Sequence, residues 1–124
     1  MTDDALRKFY NEGDVFVNPS MAEAFNIPCL EAMACGLPVI STSGEPWNEI
    51  PSLDKIQATS KRQRVGREID WYSCNSESLL DQCKHWVGKD ITQQSNQAMQ
   101  WASSRSWNQH KQEFWRLVTE GKPS

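Results

Sequence analysis

One short helix, held between two strand-like runs within residues 14–42, constrains this chain more than any other feature. The first run, Asp14-Val15-Phe16-Val17-Asn18, is apolar through its middle, as expected of a central strand covered on both faces. Asn18-Pro19-Ser20 ends it, because proline cannot donate into a ladder. Pro28 then stands where a helix can begin, since its missing N–H costs nothing in the first turn. Leu30, Ala32, Met33 and Ala34 carry the helix to about Cys35; Gly36 supplies a left-handed residue after it, and Pro38 prevents resumption. Pro38 to Thr42 returns as a β-branched strand. Strand, loop, helix and strand at this spacing form a βαβ unit, with parallel strands and a right-handed crossover. The expected class is therefore α/β, built on a parallel sheet with flanking helices.

The remainder of the chain reads as further helices around that unit. Thr2 to Asn11 carries an apolar stripe of Leu6, Phe9 and Tyr10, with Gly13 as terminator. Ser43-Gly44-Glu45-Pro46-Trp47 forms a second loop at a strand's carboxyl end, and Trp47 to Ile50 starts a short helix cut off by Pro51. Residues 52–68 show no clear period and read as loop with a short strand near Ile56; Ile69 to Tyr72 reads as an edge strand. Ser76 is the expected cap of a helix with Leu79, Leu80, Cys83, Trp86 and Val87 on one face. Asp90 caps another, with Ala98, Met99, Trp101 and Ala102 inward. Ser106-Trp107-Asn108-Gln109 has capping-box spacing ahead of Lys111, Phe114, Trp115 and Val118, and Gly121 ends that helix. We expect one domain over residues 1–124, in which residues 88–124 are the C-terminal helices.

Composition narrows the function classes. A chain of 124 residues can bury roughly two-thirds of its unfolded surface. No apolar run approaches the roughly 18 residues of a membrane span, and the acidic start Met1-Thr2-Asp3-Asp4 lacks the pattern of a signal peptide. A net charge of −3 argues against a nucleic-acid binder. The basic cluster Lys61-Arg62-Gln63-Arg64-Val65-Gly66-Arg67 reads as a solvated loop rather than a phosphate site. Cys29, Cys35, Cys74 and Cys83 have no Cys-x-x-Cys pairing and no histidine at zinc spacing, so they read as buried reduced thiols. Of six tryptophans, Trp86, Trp101, Trp107 and Trp115 fall in the helical C-terminal part, where packing or burial against a partner surface explains them better than ligand stacking.

Chemistry concentrates between Ser20 and Pro38. In parallel sheets ligands bind beyond the carboxyl ends of strands, where Glu23 and the turn after it lie. A helix start at Pro28 offers unsatisfied N–H groups and a partial positive charge to a phosphate. Glu31, one turn deeper and about 5 Å further along the axis, suits a ligand with a vicinal diol beside its phosphate, such as a nucleotide ribose. A carboxylate accepts both hydroxyls of a diol at once. On spacing alone Glu31 serves equally as a favourable acid near a helix start and Glu23 as a surface loop residue. A two-carboxylate glycosidase site is a third reading, but nothing else in the chain supports a hydrolase pocket.

The run from Phe9-Tyr10-Asn11 through Asp14-Val15-Phe16-Val17-Asn18-Pro19-Ser20 and Glu23-x7-Glu31-Ala32-Met33-Ala34-Cys35-Gly36-Leu37-Pro38-Val39-Ile40 resembles the C-terminal domain of GT-B-fold retaining glycosyltransferases, the group 1 or family-four class. The resemblance covers residues 5–50 strongly and the C-terminal helices weakly. It implies a Rossmann-like donor-binding domain, here a partial GT-B C-terminal domain, acting on a nucleotide-sugar donor as a hexosyltransferase without a metal or other cofactor. By position it assigns Glu31 to the nucleotide ribose and Glu23, the catalytic candidate, to hydroxyls of the donor sugar near the reacting carbon. The turn Ala24-Phe25-Asn26-Ile27 would offer backbone N–H groups to the sugar and diphosphate, with the helix dipole and basic side chains handling leaving-group charge.

The chain departs from the family pattern in two places. Gly-Phe-Gly after the first glutamate is here Ala24-Phe25-Asn26, and Asn26 is expected to keep the turn because asparagine tolerates positive φ. The Gly-Gly of the next loop is Glu45-Pro46, which sets a carboxylate near the expected diphosphate. The resemblance also implies a separate N-terminal acceptor-binding domain or subunit as partner, without which this chain would bind donor but not transfer. It further implies a cytoplasmic location, with peripheral membrane attachment through that missing part. The alternative is a non-catalytic GT-B-like module acting through protein association.

Overall fold

The structure, a computed structural model, describes residues 2–20, 26–44, 49–56, 58–60 and 72–121. In chain order the elements are α1 (Asp3–Asn11), β1 (Phe16–Asn18), α2 (Ile27–Ala34), β2 (Val39–Thr42), β3 (Asp54–Ile56), β4 (Ala58–Ser60), β5 (Tyr72–Cys74), α3 (Ser76–Trp86), α4 (Thr92–Ser103) and α5 (Trp107–Glu120). The class is mixed α/β, with a three-stranded parallel sheet in the order β1-β2-β3 and a separate antiparallel pair, β4-β5.

The expected βαβ unit is present. Phe16, Val17 and Asn18 pair in parallel register with Val39, Ile40 and Ser41. β2 is the centre of the sheet, and all four of its residues are buried between β1 and β3. β1 departs from expectation. In the described sheet it has a neighbour on one side only, so it is an edge strand, and Val17 is exposed. Its apolar run is matched to a strand covered on both faces, but the described residues cover only part of it.

α2 packs on β1, β2 and α4 and buries Cys29, Ala32 and Met33 completely. Burying a side chain the size of Met33 contributes about 2 kcal/mol. The helix ends in a Schellman motif: Gly36 N–H bonds the Met33 carbonyl at 3.0 Å and Leu37 N–H the Ala32 carbonyl at 3.0 Å. Gly36 takes φ 85°, and Leu37 folds back beside Ala32 and Tyr10. From α4, Ser95 Oγ donates to the Gly36 carbonyl at 2.6 Å, so the helix end also docks α4.

The flanking helices correct several expectations. In α1, Thr2 caps Ala5 N–H and Tyr10 is buried, but Phe9 points to solvent, and Glu12 rather than Gly13 closes the helix. The cap of α3 is Asn75, whose Oδ1 accepts from Ser78 N–H at 2.9 Å; Ser76 is already helical. No α3 residue is buried, and Leu80 and Val87 are exposed, because the face read as a core stripe has only a shallow partner in β3. Asp90 accepts from Thr92 N–H and Oγ1 at the start of α4, and these bonds hold its carboxyl below the usual range. Ala98 and Ala102 face the core as expected, whereas Met99 is exposed. Ser106 caps α5 at Gln109 N–H, yet every residue of that helix is exposed, including Trp107, Phe114, Trp115 and Val118. The strand expected near Ile56 is β3, and the expected strand at residues 69–72 begins only at Tyr72, as β5. Among the described residues the four cysteines are unbridged, and no helix is long and apolar enough to cross a membrane.

Candidate functional site

The amino end of α2 follows the carboxyl end of β1, and side chains at the ends of β1 and β2 hold Ser20. Asn18, buried at the end of β1, donates from Nδ2 to Cys29 Sγ at 3.1 Å. Its Oδ1 accepts from Ser20 Oγ at 2.7 Å and from Ser20 N–H at 3.3 Å, the local turn that asparagine forms readily. Thr42 Oγ1, at the end of β2, donates to the Ser20 carbonyl at 3.0 Å. Both strand ends therefore grip Ser20, and Asn18 ties that grip to the first turn of α2.

Asn26 leads into the helix with φ 57° and ψ 56°, the sole non-glycine residue at positive φ among those described. The left-handed turn expected of it is thus present. Its side chain gives α2 no capping bond; Nδ2 and Oδ1 are buried and have no hydrogen-bond partner among the described residues. An unsatisfied buried polar group costs about 1–3 kcal/mol, and such groups mark strain or sites of binding. Pro28 occupies the first turn of α2 as expected, and Ile27 beside it is exposed.

Glu31 sits half-buried one turn into α2. Its carboxylate Oε2 accepts a hydrogen bond from Tyr10 Oη at 3.0 Å, a partner on α1 that sequence reasoning placed only in the apolar stripe. The same hydroxyl lies 3.5 Å from the Pro28 carbonyl. The Tyr10 ring is 6% exposed and meets Phe16 edge-on, with centroids 5.9 Å apart. Burial, then the hydrogen bond to Glu31 and the charge of that carboxylate, push the Tyr10 hydroxyl up to about 12, so it stays a protonated donor at any physiological pH. Glu31 keeps Oε1 and one lone pair of Oε2 for other donors. The one clue in the sequence was that a buried tyrosine hydroxyl requires a partner; which partner was not readable.

Of the residues singled out from sequence, the structure brings Asn26, Ile27 and Glu31 onto one helix start. Glu23, Ala24 and Phe25 lie outside the described residues, as do residues 45–48 of the next loop and Arg62, Arg64 and Arg67. Among the described residues no cluster of histidine, cysteine, aspartate or glutamate could hold a metal ion. A cavity of about 930 Å³ is built elsewhere, from Asp14 and Val15 ahead of β1, Leu37 ahead of β2, and Trp86 and Ile91 of the α3–α4 region. Neither Asn26 nor Glu31 lines it, so it is separate from this site.

Residues 1–56 match the sequence profile of the family described as glycosyl transferases group 1. Over 40 residues, 32% of the chain, it is 52% identical to an uncharacterized glycosyltransferase of Methanocaldococcus jannaschii. Over 38 residues, 31% of the chain, it is 45% identical to a D-inositol 3-phosphate glycosyltransferase of Paenarthrobacter aurescens. The matched stretches span 10% and 9% of those two relatives, so the chain corresponds to a small part of each. No solved structure matches. The segment from residue 1 to residue 56, which holds β1, α2, β2 and the site just described, is therefore the part of the chain that is similar to glycosyl transferases group 1.

Proposed function

We propose that the chain is the donor-binding portion of a retaining GT-B glycosyltransferase, taking a nucleotide sugar at the amino end of α2. The observation that carries this reading is the placement of Glu31 one turn inside a helix that starts just past the carboxyl end of a parallel strand. There a diphosphate would meet the helix amino end and the buried Asn26 amide, while the Glu31 carboxylate takes the ribose diol. Glu23 takes the donor sugar in this reading because the family resemblance implies that role for the first glutamate of the pair. Transfer would further need an acceptor-binding domain or subunit. NMR titration of the chain with UDP, GDP and ADP and their sugars tests donor binding. Resonances of Asn26 and Glu31 are expected to shift with at least one nucleotide, and the Asn26 shift to need more nucleotide in Glu31→Ala; no shift with any of them refutes the reading.

A second reading, a non-catalytic module acting through association, is favoured by the exposed apolar row on α5, where Trp107 is 83% and Trp115 65% exposed. Sedimentation of the isolated chain separates the two. A monomer at high concentration that binds nucleotide counts against the second reading.

A further inference from the structure

We infer that Tyr10 is a positioning residue for ribose recognition: its hydroxyl, donated to Glu31 Oε2, holds the carboxylate in the orientation that takes both hydroxyls of a nucleotide ribose. This rests on the reading of Glu31 as the ribose ligand.

A glutamate on a helix surface has three free side-chain torsions, and ordering it for a bidentate contact costs rotamer entropy each time a ligand binds. Tyr10 has two, and both are already held. Its ring is buried against Ala32, Leu37 and Phe16, and α1 delivers it to Glu31 from 21 positions earlier in the chain. Among the described residues Tyr10 Oη is the group hydrogen-bonded to the Glu31 carboxylate. A rigid donor is thereby set against a flexible acceptor. The bond engages one lone pair of Oε2 and leaves Oε1 and the remaining pair of Oε2, one acceptor for each hydroxyl of a diol. Because burial pushes the phenol up to about 12, the donor is present throughout the physiological pH range. A purely structural phenol would need only one acceptor; here the Pro28 carbonyl, at 3.5 Å, is the longer contact and the carboxylate the closer.

Tyr10→Phe removes the hydroxyl and keeps the ring. Affinities of the wild type and of Tyr10→Phe are measured by calorimetry for UDP, GDP and ADP and for their 2′,3′-dideoxy forms. The wild type is expected to prefer the ribonucleotide. Tyr10→Phe is expected to lose roughly five- to tenfold of that affinity while dideoxynucleotide affinity stays unchanged, which collapses the preference. In a Glu31→Ala background Tyr10→Phe is expected to add nothing. A ribonucleotide preference retained in Tyr10→Phe, or an equal loss for both nucleotide forms, overturns the positioning role while leaving Glu31 in place. A wild type without any preference overturns the assignment of Glu31 and the positioning role together. Should Tyr10→Phe fail to fold, the ¹³Cζ resonance of Tyr10 in the wild-type chain decides: it must move on adding the ribonucleotide and stay with the dideoxy form, and no movement overturns the proposal.

Discussion

Replacing Gly36 by alanine tests the joint between α2 and α4. Gly36 sits at φ 85°, where an L side chain costs roughly 1–2 kcal/mol. An added Cβ would also stand 3.0 Å from Ser95 Oγ and 3.5 Å from Met99 Sδ. Ser95 cannot yield freely, because its hydroxyl is bonded to the Gly36 carbonyl at 2.6 Å, and stretching that bond forfeits about 1 kcal/mol. Against these stands a gain of roughly 0.5 kcal/mol from the stiffer unfolded chain. Gly36→Ala should therefore destabilise by about 2 kcal/mol, read as a lower urea midpoint at unchanged slope. Ser95→Ala alone should cost about 1 kcal/mol, through the lost bond. Made together, the two changes should cost less than their sum, because removing Oγ relieves the crowding. A Gly36→Ala variant as stable as the wild type, or strict additivity of the pair, would refute the account of this joint.

Two further outcomes follow from the site. Tyr10 has a folded-state value of about 12 against an ordinary value of 10.0, so the folded state holds its proton more tightly. That contribution is whole below pH 10 and lost as pH rises through 12; relative to Tyr10→Phe, the wild type should lose roughly 2–3 kcal/mol across that window. A stability difference that does not change with pH between 9 and 12 would contradict it. Asn26→Gly should be neutral, or stabilising by up to about 1 kcal/mol, because glycine takes φ 57° without strain and removes the unpaired amide, whereas Asn26→Val should cost about 2 kcal/mol or more. Equal urea midpoints for the two variants would refute this.

The βαβ unit was legible because its signals are local. Pro28 can only begin a helix, Gly36-Leu37-Pro38 can only end one, and Val39-Ile40 suits a buried strand; each acts within a turn of its own backbone. The left-handed turn at Asn26 was legible for the same reason. The helical faces were harder. Leu79, Leu80, Cys83, Trp86 and Val87 do recur at helical spacing, but periodicity states which residues share a face and not whether anything covers it. Leu80 and Val87 are exposed although β3 meets α3, and all of α5 is exposed, so the described elements leave those side chains uncovered. Asn75 outcompeted Ser76 as the cap of α3 because the backbone at Asn75 is extended while Ser76 is already helical.

For the candidate site, sequence placed Glu31 one turn inside a helix start and Asn26 in the turn ahead of it, since those placements depend on local spacing; the ribose role of Glu31 came from the family resemblance. Tertiary structure decided the rest. Tyr10 meets Glu31 across α1 and α2, and Thr42 grips Ser20 across two strands; both contacts depend on where packing sets one element against another. Hydrophobic burial of Ala32, Leu37 and Phe16 brings the Tyr10 ring there, and burial is non-directional, so no local pattern could name the carboxylate that its hydroxyl would find.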